Sequence, residues 1–210
     1  MAALAMAAST LAVAGCGGDA AADEGGWLRH EDPDQGLAVL YPEDWNRSTT
    51  TLTPNLTEPR ELLSLGTHGL RPGSEQCAQM AGNALDDMTE LDAFISVQER
   101  ELPSDAPPGA EIFPRRPDDF ELEARDADVG AACSENGGIQ SWWTPFRDEG
   151  RSFYLQVAIG KSASEDTRRQ VTGILESLRF TPIAARAVPS AKSRQLRDGR
   201  RTRRIPSTSQ

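Results

Sequence analysis

The sequence predicts an α+β domain over residues 27–182, a single unit of sheet and helices. Three observations predict it. Apolar and polar residues alternate in several short runs, with Leu37, Val39 and Tyr41 in the first and Phe153, Leu155, Val157 and Ile159 in the longest. Two other stretches, Cys77 to Leu91 and Val171 to Leu178, repeat apolar residues at three- and four-residue steps, the period of a helix resting one face on a core. Outside this body the pattern lapses, except for one apolar run at the start.

That run, Leu4 to Val13, ends in Ala14-Gly15 directly before Cys16. This is the layout of a secretory apolar region and its cleavage site, and Leu11 to Cys16 reads as a lipobox with Cys16 as the acylated cysteine. The run is too short to span a bilayer, which takes about 20 apolar residues. Residues 1–15 therefore read as a lipoprotein signal peptide, and the mature chain is expected to start at a lipidated Cys16 on the outer face of the cell membrane. Each buried methylene of the two acyl chains of a diacylglyceryl group contributes about 0.8 kcal/mol, enough together for lasting attachment. Residues 1–15 contain no Lys or Arg, with which a signal peptide opens, so the true start is expected upstream. The alternative is a soluble protein with an Ala-rich, disordered start. Residues 16–26, rich in Gly, Ala, Asp and Glu, read as a flexible spacer. Gly17 offers no acidic retention signal, which leaves sorting open.

The body opens as strand, turn, strand: Trp27 to Glu31, Asp32-Pro33-Asp34-Gln35-Gly36, then Leu37 to Tyr41. Pro42 ends the second strand and Trp45 follows. A polar, Thr-rich region leads to a strand at Leu62 to Thr67. Ser74 can cap a helix whose apolar face is Cys77, Met80, Ala81, Ala84, Leu85, Met88 and Leu91, with Asp86, Asp87 and Glu90 on the solvent side. Ala93 to Leu102 reads as a strand. Leu102 to Asp119 holds five prolines without periodicity and reads as a long surface excursion. Phe120, Leu122 and Ala124 alternate again. Ile139 to Phe146 and Phe153 to Ile159 form the clearest hairpin, joined through Arg147 to Arg151. Ser162 to Glu165 offers a capping box for a closing helix striped by Val171, Ile174, Leu175 and Leu178.

Charge divides the chain. Residues 1–182 carry 14 Lys and Arg against 31 Asp and Glu, a net of −17, and residues 183–210 carry 8 against 1, a net of +7, which together give the −10 of the whole. An acidic body argues against nucleic acid as partner, because phosphate binding needs a basic surface. The tail, residues 183–210, has no apolar pattern and cannot form a core. It reads equally as a disordered tail touching anionic headgroups, as an inert solvated tail, or as the product of a frameshift in a high-GC gene.

Three cysteines fit export. With Cys16 lipidated, Cys77 and Cys133 remain as an even pair in an oxidising compartment, where a disulfide is the default. A cross-link over that separation stabilises by about 4 kcal/mol on the chain-entropy account. The alternative is two buried free thiols. A metal site is not expected, since the chain has two histidines and no Cys-x-x-Cys. His30 lies near Glu31, Asp32 and Asp34, an arrangement that a Pro-containing turn in an acidic protein explains equally well. His68 falls in a loop between Gly66 and Gly69.

No catalytic constellation emerges: there is no G-x-S-x-G elbow and no phosphate-binding loop. Asp118 and Asp119 with Glu121 and Glu123 resemble an acid pair, but alternation places Glu121 and Glu123 on one outward face. Trp142 and Trp143 send one ring to each side of a strand, one toward the core and the other a possible ligand-stacking surface.

Two signatures carry a resemblance. Gly36-Leu37-Ala38-Val39-Leu40-Tyr41-Pro42-Glu43-Asp44-Trp45 is similar to the opening strand, Pro, two residues and Trp of the PsbP-like superfamily. Val171-x-x-Ile174-Leu175-Glu176-Ser177-Leu178-Arg179-Phe180 is similar to its closing helix. The resemblance covers Trp27 to Pro182 and implies a small antiparallel sheet flanked by helices, used for binding or assembly, with no catalytic residues and no cofactor. Many lipoproteins of high-GC Gram-positive bacteria resemble this fold. The expected function is therefore a non-catalytic envelope lipoprotein binding a protein, lipid or glycan partner. The alternative is an envelope hydrolase working through an unrecognised carboxylate or Ser site.

Overall fold

The computed structural model describes residues 22–23, 25–73, 76–77, 79–101, 113–120, 122 and 138–182, and the side chains of most of these. The signal peptide, most of the spacer, most of the Pro-rich excursion, Cys16, Cys133 and the basic tail lie outside the described residues.

Two antiparallel sheets make the body. Strands β1 (Ala22–Asp23), β2 (Trp27–Asp32), β3 (Leu37–Pro42) and β11 (Arg179–Phe180) form a four-stranded sheet in that order. A larger sheet has the order β4-β5-β8-β10-β9, made from β4 (Asn46–Arg47), β5 (Arg60–Gly66), β8 (Ala93–Arg100), β9 (Ile139–Asp148) and β10 (Arg151–Gly160). A two-stranded hairpin, β6 (Gln76–Cys77) with β7 (Met80–Ala81), runs into the short helix α1 (Gly82–Asp86), and the closing helix α2 spans Glu165–Ser177.

This corrects the predicted fold class. Among the described residues strand takes 42% and helix 15%, in two antiparallel sheets, not a small sheet flanked by helices. The largest single cause is the stretch after Ser74. In a helix the carbonyl of Gln79 would accept from the amide four residues on. Here it accepts instead from the side-chain amides of Gln98, at 2.7 Å, and Gln156, at 3.3 Å, which rise from the larger sheet. Those bonds fix a turn, and the helix is reduced to five residues with no capping side chain. Ala81, Ala84, Leu85 and Met88 are still buried together, whereas Leu91 is 61% exposed. A second difference lies at Phe120 and Leu122. Both are buried in the main core, but no strand runs through them among the described residues.

Hairpin chemistry explains the sheets. Glu149 and Gly150 both have positive φ, 49° and 74°, as a two-residue turn matched to strand twist requires, and they set Asp148 opposite Arg151. Between β2 and β3, the Asp32 carboxylate accepts from Gln35 N at 2.9 Å. Gly36 there has φ of 59°, and a Cβ on it would meet the Thr181 hydroxyl oxygen at 2.8 Å, so the turn needs glycine.

The larger sheet is buried on both faces. One face, with Ile95, Val97, Phe146, Phe153, Leu155 and Val157, packs on Leu37, Val39 and Tyr41 of β3 and on the α2 stripe Val171, Ile174, Leu175 and Leu178. The other, with Phe94 and Ala158, packs on Leu52, Ala84, Leu85 and Met88. Helix α2 is started by Ser164, whose hydroxyl accepts from Thr167 N at 3.0 Å. Near its end the Ser177 hydroxyl accepts from Leu40 N at 2.9 Å, and its one hydrogen is shared between Ile174 O at 2.7 Å and Leu40 O at 3.0 Å, which ties α2 to β3. Trp45 Nε1 donates to Gln170 Oε1 at 2.9 Å. The two signature segments are thus packed on each other.

One buried cation locks the sheets together. Arg151 donates to Glu99 at 2.7 Å and to the carbonyls of Gln35, Gly36 and Thr181 on the smaller sheet side. Its guanidinium also lies over the Phe153 ring, 4.9 Å from the centroid. Arg60 supplies Glu99 with a second partner at 2.6 Å.

Candidate functional site

The segment 113–122 returns along the open edge of β9 and, with α2, encloses a cleft of about 1450 Å³. Sequence positions that segment tightly. Pro114 and Pro117 bracket the doublet Arg115-Arg116, and the backbone locks on: Arg147 N donates to Pro114 O at 2.7 Å and Arg116 N to Arg147 O at 2.9 Å. The guanidinium of Arg116 then donates to Asp148 at 3.1 Å, to Leu178 O at 2.8 Å and to Leu175 O at 2.9 Å. The carbonyls at a helix C-terminus are unpaired within the helix and carry partial negative charge, so Arg116 fastens the cleft wall to the end of α2.

At the base Phe120, Leu122, Ile159, Val171 and Leu175, side chains buried in the main core, present only their edges, and the rim is charged. Arg169 on that rim is held by Asp166 at 3.0 Å, and Thr172 stands exposed midway along α2. An apolar floor under fixed polar groups is the make-up of a binding site. Drug-sized ligands occupy roughly 300–1,000 Å³, so a space of about 1450 Å³ suits an extended ligand or a segment of a larger partner.

The residues singled out from sequence fall elsewhere, with the exception of Asp118 and Asp119, which line the cleft. Cys77 lies on β6, its side chain outside the described residues, and Cys16, Cys133, Glu121 and Glu123 lie outside them altogether. The proposed disulfide and lipidation thus have no described geometry. Trp142 is buried in the main core. Trp143, half-buried on the opposite face, packs against Tyr154 with ring centroids 4.8 Å apart. Neither ring borders the cleft.

The two histidines are also accounted for by structure. His30 faces Val39 across the β2–β3 pair; burial, then the nearby Arg47, holds its pKa below the ordinary imidazole value, against an opposing pull from Asp32. His68 Nε2 donates to Ala84 O at 2.9 Å. Asp92 beside it is a turn carboxylate: burial pushes its pKa up, but hydrogen bonds from Thr89 and Thr67 outweigh that and hold it low. Glu99 follows the same logic, with burial opposed and overcome by Arg151 and Arg60. Among the described residues no three His, Cys, Asp or Glu gather as metal ligands, and no helix is long and apolar enough to cross a membrane.

Sequence reasoning passed over Arg115, Arg116 and Arg147. Their signal was present as an Arg-Arg doublet set between prolines inside the excursion, a pairing of rigid backbone with cations. Comparison with protein-family models and with curated proteins finds no match for this chain.

Proposed function

We propose that the chain is a membrane-tethered, non-catalytic binding module of the cell envelope, anchored through Cys16 and receiving its partner in the cleft between α2 and residues 113–122. The carrying observation is the cleft itself, apolar at its base, with a charged rim on which Arg116 is fixed to Asp148 and to the end of α2. A wall anchored in this way suits recognition, because less of it has to be ordered when a partner binds. The size of the cleft favours a partner segment or an extended lipid or glycan. The lipobox layout of Leu11 to Cys16 supports the tether.

Two measurements test this reading. Metabolic labelling with a fatty-acid analogue should mark the wild-type chain in the membrane fraction and leave Cys16→Ser unlabelled; equal labelling of both removes the anchor. Thr172 is exposed on the cleft wall, so Thr172→Trp should obstruct the cleft without disturbing the core. Species that copurify with the wild type from solubilised envelopes should be lost with Thr172→Trp. If they are retained in full, the cleft is not the binding surface.

A further inference from the structure

We propose that a row of arginines across one end of the larger sheet binds a phosphate-bearing anion. Strand register builds the row. Arg100 on β8 stands opposite Ser152 on β10, Ser152 opposite Arg147 on β9, and Arg147 is bridged to Arg115. Residues directly opposite one another project to the same face, so three guanidinium-bearing side chains and one hydroxyl share a face. Arg116 and Asp148 alternate to the other. With neighbouring strands about 4.8 Å apart, the backbones of Arg115 and Arg147 are one spacing apart and the whole row is about 14 Å long.

Arg115 and Arg147 are exposed, and among the described residues neither side chain holds a hydrogen bond or an ion pair. Each of the other described arginines is matched to a carboxylate or a backbone carbonyl. The acid nearest in sequence, Asp148, is committed to Arg116. Like charges directly opposite on neighbouring strands repel, and a chain of net charge −10 has acids available to neutralise them. Held together with no ion pair to either neighbouring acid, Asp148 or Glu149, the pair is matched to charge that a ligand brings.

The geometry is prepared for that ligand. Both arginines rise from one bridge closed by two backbone hydrogen bonds, at 2.7 and 2.9 Å. The bridge reduces the ordering cost of binding. A second hollow of about 490 Å³, lined by Arg115, Arg147, Asp148 and the hairpin tip Glu149-Gly150, adjoins them, with the Asp148 carboxylate taken up by Arg116. The guanidinium fork fits two phosphate oxygens at once, which an ammonium group cannot do. At the far end Arg100 is held loosely, 4.0 Å from Glu58 and 3.4 Å from the Tyr154 hydroxyl. It can meet a second anionic group of a longer ester. Arg115 and Arg147 also stand on the rim of the larger cleft, so the anion site and the cleft share that edge.

The test titrates the full chain, in detergent, with inorganic phosphate and with two short-chain lipids below their micelle concentrations, dihexanoyl phosphatidylglycerol and dihexanoyl phosphatidylcholine. R115M/R147M should weaken phosphate and phosphatidylglycerol binding at least tenfold. Arg29→Met, on an exposed pair in the smaller sheet, should change neither, and an unaltered melting temperature confirms that the double variant is folded. Tighter binding of phosphatidylglycerol than of phosphate identifies a lipid headgroup as the source; equal binding identifies a free phosphate group. Replacement of Arg200, Arg201, Arg203 and Arg204 by Gln controls for the basic tail. The proposal is overturned if the wild type binds neither phosphate nor phosphatidylglycerol, if it binds phosphatidylcholine as tightly as phosphatidylglycerol, if R115M/R147M binds as the wild type does, or if the tail variant alone abolishes binding.

Discussion

At the residue scale, the group that most constrains the molecule is Arg151, because its partners lie on both sheets. Neither it nor Glu99 is distinguished in the sequence: an Arg next to a hairpin glycine and a Glu at a strand end look like surface residues. Burial came from the approach of the smaller sheet, which local patterning does not encode. Removing one member of a buried pair costs about 3–5 kcal/mol, because the other charge is left uncompensated. The pair also makes stability depend on pH. Since the folded state holds Glu99 below the ordinary carboxylate value of 4.5, its stabilisation is complete above that value and is lost as pH falls through the lower, folded one. Denaturant midpoints from pH 7 to pH 3 should therefore fall steeply in the wild type. Glu99→Gln should start lower at pH 7 and fall less. Parallel curves would refute the assignment. Cys77 and Cys133 carry a separate expectation from the even count: peptide mass spectrometry without reduction should find them cross-linked, and two alkylatable thiols would refute it.

At the scale of elements, legibility followed how local the determinants were. The β9–β10 hairpin and α2 were readable because alternation, the Glu149-Gly150 turn and the Ser164 cap all lie within the element. The segment after Ser74 was not. Its three- and four-residue apolar period does mark buried residues, but long-range hydrogen bonds from Gln98 and Gln156 to Gln79 O select a turn over a helix. The cleft was not legible for a similar reason. In the sequence Asp118 and Asp119 suggest only an acid pair, which alternation argues against, and the pinning role of Arg116 depends on where the end of α2 lies. That end offers its own test. Ser177→Ala leaves Leu40 N without its acceptor, a loss of roughly 1–3 kcal/mol where that group stays desolvated. Chemical denaturation should show it as a lowered midpoint with unchanged slope. An unchanged midpoint would mean that water replaces the hydroxyl at no cost.

At the scale of the whole molecule, the described body closes where β11 pairs with β3 and Thr181 N bonds Gly36 O at 3.0 Å. Truncation after Ala184 should leave the melting temperature unchanged. Truncation before Ser164 removes Val171, Ile174, Leu175 and Leu178, each worth roughly 1.5–3 kcal/mol buried. That is comparable with the stability of a whole domain, about 5–15 kcal/mol, and the protein should unfold. Equal damage from the two truncations would move the boundary. Charge asymmetry between the acidic body and the basic tail was plain in the sequence. The arrangement of the body as two sheets sharing a core with α2 was not, because it rests on pairing between distant strands.

The central claim, that the cleft receives a partner at the membrane, is tested most directly by cross-linking inside intact cells. A photoreactive residue placed at Thr172, on the cleft wall, should give one discrete adduct in the envelope. The same residue at Leu91, exposed on the turn before β8, should give none. Substituting Cys16 by Ser in the Thr172 background should remove the adduct. An adduct of equal yield from both positions, or none from Thr172, would contradict the account.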